Sequence, residues 1–267
     1  MSQASIIDAT KPNAGRIYDY LLGGSHNFEV DRQAAEQLVK LLPFLPKASR
    51  LQRWCLQDLA VELTEKRGFD VIIDFASGLP TNDHMHLVAR KGTTVIYSDL
   101  DPVVVEYAHE ILAGTPNVYY FQADGRHPEE LVNRPEVQEI LGGRRDMALV
   151  YWGVSLWLAD EDIAHAARYL YQWAGPRSCL AFNAMGAVEM PDDPQVQQVA
   201  QIYAQMGSTI HFRPLARFQQ LLQPWRADEK AFVSLLEWHG LDQTTMTAED
   251  QRTWSSTSGM YGAYLVK

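Results

Sequence analysis

Residues 70–102 constrain the fold more than any other part of this chain. They contain an apolar run, Val71–Asp74, a sharp turn at Gly78, a short helical segment, and a second apolar run at 94–98 that leads into Asp99. A buried strand, a Gly-containing turn, a helix and a strand ending in an acid form the opening half of a nucleotide-binding βαβ unit. The sequence therefore predicts an α/β protein built on a parallel sheet.

The rest of the chain repeats this alternation. Further strands are predicted at 117–122, 147–152 and 178–184, and helices at 82–90, 102–112, 128–141 and 160–173. Continuous apolar strands that alternate with helices are typical of a mostly parallel sheet covered on both faces. Beyond these, the pattern predicts helices at 193–206, 214–222 and 228–239 and two closing strands at 241–246 and 261–266.

The part of the chain before the first strand follows a helical pattern instead. Ala14, Ile17, Tyr18 and Leu21 recur at helical spacing, and the Gly23-Gly24 pair ends that helix. Two more helices are predicted at 30–42 and 48–66. We therefore expect an N-terminal helical cap over residues 1–67 and a nucleotide-binding domain over residues 68–267.

Charge and cysteine content narrow the range of partners. The chain carries a net charge of −10 at pH 7, and its basic residues are scattered. Proteins that bind nucleic acid usually present a basic face, so we expect no nucleic-acid partner. Cys55 and Cys179 are far apart and form no metal-binding motif. Without a signal peptide or a membrane-spanning stretch, the sequence predicts a cytoplasmic protein with no membrane partner, and it leaves the oligomeric state open.

Small residues follow the first strand, where a ligand has to approach the backbone closely. Ala76, Ser77 and Gly78 form this turn, and Asp74 precedes it at the strand end. The dinucleotide pattern G-x-G-x-x-G would need two more glycines, which are missing here. The turn resembles the D/E-x-G/A-x-G loop of S-adenosylmethionine methyltransferases, in which Asp74 would orient the loop or receive the amino group of the ligand. A plain strand-to-helix turn is the alternative.

Acids also follow the second and third strands. Asp99, with Leu100 beside it, lies about 20 residues after the turn, where a carboxylate can accept hydrogen bonds from both ribose hydroxyls. Asp101 precedes Pro102 and is the better helix cap, although both acids could serve only as caps. After the third strand, Asp124 can accept a hydrogen bond from an adenine amine, and the backbone of Gly125 can serve the ring edge.

The fourth strand ends in Trp152 and Gly153. Ligands of open parallel sheets lie beyond the carboxyl ends of the strands, so both residues should be near the reactive centre. Trp152 could wall off a cationic sulfonium or line an acceptor pocket. A core tryptophan is the alternative interpretation.

The N-terminal stretch 12–32, PNAGRIYDYLLGGSHNFEVDR, resembles a specific family. It is similar to the P-x-x-A-R-x-Y-D-Y-L-L-G-G-x-x-N-F-x-x-D-R segment of S-adenosylmethionine-dependent methyltransferases abundant in actinobacteria. The resemblance covers about residues 12–185 and implies a class I methyltransferase with a seven-stranded Rossmann-like sheet and an N-terminal helical cap. It also implies roles for individual residues: Ala76, Ser77 and Gly78 at the methionine end, Asp99 at the ribose, Asp124 at the adenine, and Tyr18, Gly23 and Gly24 closing over the cofactor.

The remaining polar residues admit several roles. Arg16, Arg32, Arg50 and Arg53 are interpreted as ion-pair partners of Asp19 and Asp31, in preference to ligands of a substrate carboxylate. His26, His211 and Asp19 are candidate general bases, and nothing in the sequence selects among them. His84 and His86 would face different ways on a helix, so no shared metal site is predicted.

Together these features predict transfer of a methyl group from S-adenosylmethionine to a small-molecule acceptor, with specialised metabolites as a family-level expectation. Two alternatives stay open at this point. One is a protein that binds S-adenosylmethionine without catalysis. The other, disfavoured by the missing glycines, is a nicotinamide-dependent oxidoreductase.

Overall fold

A computed structural model describes residues 10–81, 83–188, 192, 194–242, 244, 246–248 and 259–267. The helices are α1 (Ala14–Leu21), α2 (Glu29–Leu41), α3 (Leu45–Val61), α4 (Met85–Val88), α5 (Pro102–Ile111), α6 (Pro128–Val132), α7 (Pro135–Leu141), α8 (Asp160–Trp173), α9 (Pro194–Gln205), α10 (Leu215–Leu221) and α11 (Leu235–Trp238). The strands are β1 (Val71–Asp74), β2 (Thr94–Asp99), β3 (Val118–Gln122), β4 (Ala148–Tyr151), β5 (Cys179–Met185), β6 (Arg226–Ala227), β7 (Val233–Ser234) and β8 (Met260–Val266). A π-helical turn, Glu62–Lys66, extends α3, and a 3₁₀ turn, Ser155–Trp157, follows β4.

The strands form one mostly parallel sheet in the order β3-β2-β1-β4-β5-β8-β6. The first five are parallel to one another, with Ile73 of β1 aligned to Ile96 of β2 and to Leu149 of β4. β8 runs antiparallel to β5, and the short strands β6 and β7 both pair with β8. The predicted mostly parallel class I sheet is confirmed, but it has eight strands instead of the predicted seven, because the two-residue strand β7 also pairs with β8.

Helices bury both faces of the sheet because alternate residues of each strand point to opposite sides. Ile73 and Leu149 pack on one side in a cluster with residues of α6, α7, α8 and α10. Ile72 and Val150 pack on the other side with α3 and α5. α3 belongs to the N-terminal segment, yet it packs in the same core as the central strands.

The N-terminal helices are fastened to the carboxyl-end edge of the sheet. Asn13 caps α1 by accepting a hydrogen bond from the Arg16 N–H, and its side-chain amide donates to Asp101 Oδ2 at 2.7 Å. Arg16 donates to Asp31 Oδ2 at 2.8 Å in a buried ion pair. Asp101 in turn caps α5, as the sequence predicts. The start of α1 therefore lies against the start of α5, beside the end of β2.

Several predicted elements are wrong in extent. The helix predicted at 228–239 shrinks to α11, because Val233–Ser234 pairs with the edge of β8 instead. The described residues of 241–246 form no strand, and 243 and 245 lie outside the described part. The helix predicted at 82–90 is confined to α4, since His84 caps it. Residues 82 and 193, at the starts of two predicted helices, also lie outside the described part.

The ends of α6, α7 and α8 can be compared with the helix boundaries predicted from the sequence. α8 spans the predicted range; its N-cap is Ala159, and the Asp162 side chain accepts from the Ala159 N–H at 3.0 Å. The single helix predicted at 128–141 is divided into α6 and α7, and α7 begins at Pro135. None of the described helices has the length and apolar character needed to cross a membrane.

Candidate functional site

Two hydrogen bonds of Ser77 fix the conformation of the turn after β1. Ser77 Oγ donates to the carbonyl of Asp74 at 2.8 Å, and the Ser77 N–H donates to the carbonyl of Ser98 at 2.7 Å. Gly78 has a φ of 64°, and a Cβ placed there would meet no atom within 4 Å. This conformation suits glycine, and the free space above it lets a ligand approach the backbone.

Asp99 ends β2 directly beside this turn. Its Oδ2 accepts from the Gly78 N–H at 3.1 Å, and its Oδ1 accepts from the Asp101 N–H at 2.9 Å. Burial raises the pKa of Asp99 to about 6, although these backbone donors work in the opposite direction. Leu100, the next residue, is exposed and offers an apolar surface at the edge of the site. Because Asp101 serves as the helix cap, Asp99 is not needed for that role.

The loop after β3 contacts the same turn. A Cβ on Gly125 would lie 3.7 Å from the Cβ of Ala76, and the Gly125 carbonyl accepts from the Tyr151 hydroxyl at 2.7 Å. Asp124 is bound by the guanidinium of Arg126 at distances of 2.6 to 3.0 Å. Burial works to raise the pKa of Asp124, but the hydrogen bonds and charge of Arg126 outweigh it and leave that pKa lowered. Asp124 is thus an ionised acceptor whose lone pairs are shared with Arg126.

At the end of β4, the backbone meets a buried pair of amides. The Gly153 N–H donates to Asn183 Oδ1 at 3.2 Å, and Gln52 Nε2 donates to the same oxygen at 2.8 Å. The amide of Gln52 lies 3.4 Å from where a Cβ on Gly153 would be, and Gly153 has a φ of 77°. Trp152 is buried against Trp238, and its indole N–H donates to the Gln52 carbonyl at 3.1 Å. Trp152 therefore joins the end of β4 to α3 through this hydrogen bond and to α11 through ring packing.

Tyr18 of α1 and Arg53 of α3 lie together, between these two N-terminal helices. The Arg53 guanidinium carbon is 5.4 Å from the centre of the Tyr18 ring, and the Tyr18 hydroxyl donates to the Ser49 carbonyl at 3.1 Å. Burial raises the pKa of Tyr18, so its hydroxyl stays protonated at neutral pH. Gly24 serves the loop that follows α1, since a Cβ there would collide with the carboxylate of Asp19.

Two buried charged groups in this region have polar atoms without a protein partner in the described residues. They are Nε and Nη1 of Arg53 and Oδ1 of Asp74. The Arg53 side chain is only 4% exposed, and its nearest carboxylate, Asp83, is 3.8 Å away. Burial raises the pKa of Asp74 to about 8, even though Ser77 and the charge of Arg53 act to lower it. Buried polar groups are normally satisfied, so these atoms indicate a ligand with both a cationic and an anionic end.

His84, His86 and Tyr97 form a hydrogen-bond network next to the turn after β1. Nδ1 of His84 and Nδ1 of His86 lie 2.9 and 3.1 Å from the Tyr97 hydroxyl. The expectation that these histidines face different ways is therefore wrong, because His84 precedes α4 as its cap and turns toward the same hydroxyl. Burial lowers the pKa of His84 well below its usual range, and Arg53 adds to the effect. His84 is thus neutral, and its Nε2 lies 3.3 Å from the Ser77 carbonyl.

The three candidate general bases, Asp19, His26 and His211, have different contacts. Asp19 accepts from the His26 N–H and the Asn27 side chain, both at 2.8 Å, and so serves the loop after α1. The ring of His26 packs edge-on against Tyr107. His211 donates its backbone N–H to the Leu156 carbonyl after β4. The structure gives Asp19 a structural role and places neither histidine in the turn after β1.

The four arginines that the sequence analysis singled out also differ in their ion-pair partners. Arg16 forms the expected ion pair with Asp31, while Arg32 pairs with Glu29 instead of Asp19 or Asp31. Arg50 is exposed on α3. The ion-pair interpretation is therefore wrong for Arg32 and also for Arg53, whose guanidinium lies 3.8 Å from the carboxylate of Asp83.

A sequence signal for the missed residues was present on α3. Gln52 shares one helical stripe with the buried Cys55 and Leu59, and Arg53 shares one with Leu56 and Ala60. A polar residue on an apolar stripe is costly unless it meets a partner, so both positions could have been chosen as site candidates. Arg126 and Asn183 gave no such signal, because their partners come from the folded loops.

The loops after β1, β2 and β3 thus meet at one edge, with the end of β4 and α3 beside them. This arrangement, with acids after successive strands and a buried arginine and aspartate that leave polar atoms unsatisfied, is typical of a class I nucleoside-cofactor protein. A family model described as S-adenosyl methyltransferase matches residues 1–263. The chain therefore belongs to the S-adenosyl methyltransferase family, and its cofactor is S-adenosylmethionine. The predicted enzyme class is confirmed, and the nicotinamide alternative is excluded.

Solved structures agree with this assignment. A DUF574 family protein from Streptomyces avermitilis is 28% identical, with a TM-score of 0.85 over 98% of this chain and 99% of that one. A protein from Thermobifida fusca is also 28% identical, with a TM-score of 0.85 over 97% of each chain. A methyltransferase from Leishmania major, 13% identical with a TM-score of 0.53 over 95% of this chain and 82% of that one, shares the fold. No curated protein matches the chain.

Proposed function

We propose that the protein transfers the methyl group of S-adenosylmethionine to a small acceptor whose buried part is apolar and uncharged. The observation that carries the proposal is that buried polar atoms of the Arg53 guanidinium and of the Asp74 carboxyl group lack a partner in the described residues, beside the contacting loops after β1, β2 and β3. The methionine end of the cofactor has one carboxylate and one ammonium group, which complement this pair.

The binding roles follow from position. Arg53 would hold the carboxylate and Asp74 the ammonium group, while Ala76, Ser77 and Gly78 supply backbone next to them. Asp99 would accept from the ribose hydroxyls, with Leu100 beside it. A further set completes the proposed cofactor site: Asp124 and Gly125 at the adenine, Tyr18 and Gly24 in the cap, and Trp152 and Gly153 at the end of β4. An ammonium group near Asp74 would favour its ionised form, because opposite charges lower the pKa of an acid.

An apolar cavity next to this site supports the acceptor class. It measures about 70 Å³ and opens to solvent between α2, α3, α9 and the ends of β4 and β5. Met185 and Met260 in its wall lie near the Gln52 amide, which itself lies beside Gly153. The cavity is lined by Leu42, Phe44, Leu45, Ala48, Leu156, Met185, Gly186, Val196, Val199, Tyr203, Phe212 and Met260. None of these carries a charge at neutral pH, since burial raises the pKa of Tyr203 to about 12.

The chemistry asks little of the protein beyond position. Bound S-adenosylmethionine supplies a methyl group already activated on a sulfonium. The chain has to hold the acceptor in line with that methyl group and keep water out, which the cap helices α1 to α3 are placed to do. Because the cavity wall offers no ionised base, the proposal favours acceptors that are uncharged at neutral pH and react without a strong base, such as aromatic amines.

Calorimetry tests the cofactor part of this proposal. S-adenosylhomocysteine should bind with one site per chain, and NAD should not bind. Asp99→Ala should weaken that binding at least tenfold, because it removes hydrogen bonds made by an ionised acceptor. Asp146→Ala, at the opposite end of β4 in an exposed pair with Arg177, is the control and should leave the isotherm unchanged. Unaltered affinity in Asp99→Ala would refute the ribose assignment.

A further inference from the structure

A cluster of three potential metal ligands lies where α6 packs against α8. His127 is the N-cap of α6, Glu129 is in its first turn, and His165 is on α8. Nε2 of His165 lies 3.0 and 3.1 Å from the two carboxylate oxygens of Glu129, and Nδ1 of His127 lies 3.5 Å from one of them. One ligand atom from each residue falls within 4.8 Å of the other two.

The donor set matches a divalent transition metal. Two imidazoles and one carboxylate form a known ligand combination for zinc, with bonds near 2.0 to 2.2 Å. In a tetrahedron with such bonds, donor atoms are about 3.3 Å apart. Two of the three separations in this cluster are already close to that value, and a rotation of the exposed imidazole of His127 can shorten the third.

Access and coordination number point the same way. The side chains of His127, Glu129 and His165 are 52%, 30% and 44% exposed, so an ion and its water ligands can reach them from solvent. Three protein ligands leave one position open for water, as in an open zinc site. We propose that His127, Glu129 and His165 bind one Zn²⁺ ion, in a site separate from the proposed methyl-transfer site.

The position of the cluster gives the ion a structural consequence. The His127 N–H donates to the Asp124 carbonyl at 2.9 Å, so His127 closes the turn that carries Asp124. An ion bound to His127 and His165 would tie this turn and α6 to α8. Because the ion binds the folded chain and the ligands are far apart in sequence, its binding should raise the thermal midpoint of unfolding.

The sequence alone did not reveal this site. His127 and Glu129 are neighbours in the chain, but the third ligand comes from a helix 36 residues further on. No short metal-binding motif connects them. Only the packing of α6 on α8 brings the ligands together.

Calorimetric titration with ZnCl₂ tests the proposal on the full chain, with any purification tag removed. We expect one Zn²⁺ per chain and a rise in the unfolding midpoint. His165→Ala and His127→Ala should each weaken binding at least tenfold. The control is His239→Ala, because His239 pairs with Asp58 and this pair belongs to no cluster of three potential ligands within the described residues; that variant should bind zinc as the wild type does.

Two outcomes would overturn the proposal. One is the absence of zinc binding to the wild-type chain at concentrations up to about 100 μM. The other is binding that His165→Ala and His127→Ala leave unchanged, which would place the ion elsewhere. Binding of S-adenosylhomocysteine, measured on the same samples, shows that each variant is folded.

Discussion

A buried guanidinium and a buried carboxyl group that leave polar atoms unsatisfied make the ligand-free protein less stable than it could be. Taking such groups out of water costs several kcal/mol unless partners replace the lost solvation. Arg53 and Asp74 are held in this state by α3 and β1, in which Cys55, Leu56 and Ile73 are buried. A zwitterionic ligand supplies the hydrogen-bond partners that Arg53 and Asp74 lack, so we expect these two residues to contribute a large part of the binding free energy.

We therefore expect replacement of Arg53 to weaken binding of the ligand. Arg53→Ala removes the donors proposed for the methionine carboxylate, and charge-assisted hydrogen bonds contribute about 1.5 to 3 kcal/mol each. We expect S-adenosylhomocysteine to bind at least tenfold more weakly, measured by calorimetry. Arg90→Ala, which removes an arginine paired with Asp70 at the other end of β1, should not alter binding. Equal affinities in the two variants would remove Arg53 from the site.

Asp74 should also make stability depend on pH. Its pKa is about 8 in the folded chain, because of burial, and about 3.9 in an unfolded chain. The folded state then holds an extra proton between these values, so stability falls as pH rises through that range, by at most about 1.4 kcal/mol per pH unit. Asp99, whose pKa is about 6, contributes little above pH 6.5.

Urea unfolding at pH 6.5 and 7.5 measures this effect. Between these pH values the wild type should lose more unfolding free energy than Asp74→Asn, which cannot bind the proton. Asp99→Asn is the matched control and should lose as much as the wild type. A loss in Asp74→Asn equal to that of the wild type would show that the Asp74 carboxyl is already ionised.

Among the elements, the loop between α1 and α2 depends on two adjacent glycines. Gly24 lies against the carboxylate of Asp19, which is itself fixed by His26 and Asn27. Gly23, its neighbour, has a φ of 83° and open space where a Cβ would be. The two glycines therefore have different reasons to be glycine, one a close contact and the other a left-handed backbone.

The adjacent pair allows a matched test of this difference. Gly23→Ala should cost about 1 kcal/mol of unfolding free energy, from backbone strain alone. Gly24→Ala should cost more, about 1 to 3 kcal/mol, because its methyl group would displace a hydrogen-bonded carboxylate. Urea unfolding of both variants compares them directly. A larger loss in Gly23→Ala would contradict the described packing of this loop.

The elements also show what could be predicted from the sequence. β1, β2 and β4 were found because strands buried on both faces are continuously apolar. β6 and β7 are two residues long and exist only through pairing with β8, so no local pattern indicated them. At the site, Gly78, Asp99 and Asp124 follow strands and could be predicted from topology. Helical spacing on α3 marks Gln52 and Arg53 as polar residues on apolar stripes. The partners of these two residues and the metal cluster depend on contacts that only the folded chain brings together.

At the scale of the whole molecule, the cap and the sheet form one enclosure. α3 lies in the sheet's core while α1 is fastened to α5 through Asn13 and Asp101. The apolar cavity lies between these cap helices and α9, next to the ends of β4 and β5. The acceptor would thus enter between cap and sheet, on the side of β4 and β5 away from the β2 and β3 loops.

Filling that cavity should block an apolar ligand without affecting the cofactor. The neutral fluorophore N-phenyl-1-naphthylamine should bind the wild type with enhanced fluorescence, and Val199→Phe should abolish most of the enhancement by occupying the space. Val61→Phe, at an exposed position of α3, is the control. S-adenosylhomocysteine should bind both variants as it binds the wild type. Undiminished fluorescence in Val199→Phe would show that the probe binds elsewhere.

The most direct test of the central claim is a crystal structure with S-adenosylhomocysteine bound. We predict that its amino-acid end lies between Arg53 and Asp74, its ribose hydroxyls within hydrogen-bonding distance of Asp99, and its adenine beside Asp124 and Gly125. A ligand bound outside the edge formed by the loops after β1, β2 and β3, or with its carboxylate turned away from Arg53, would contradict the account.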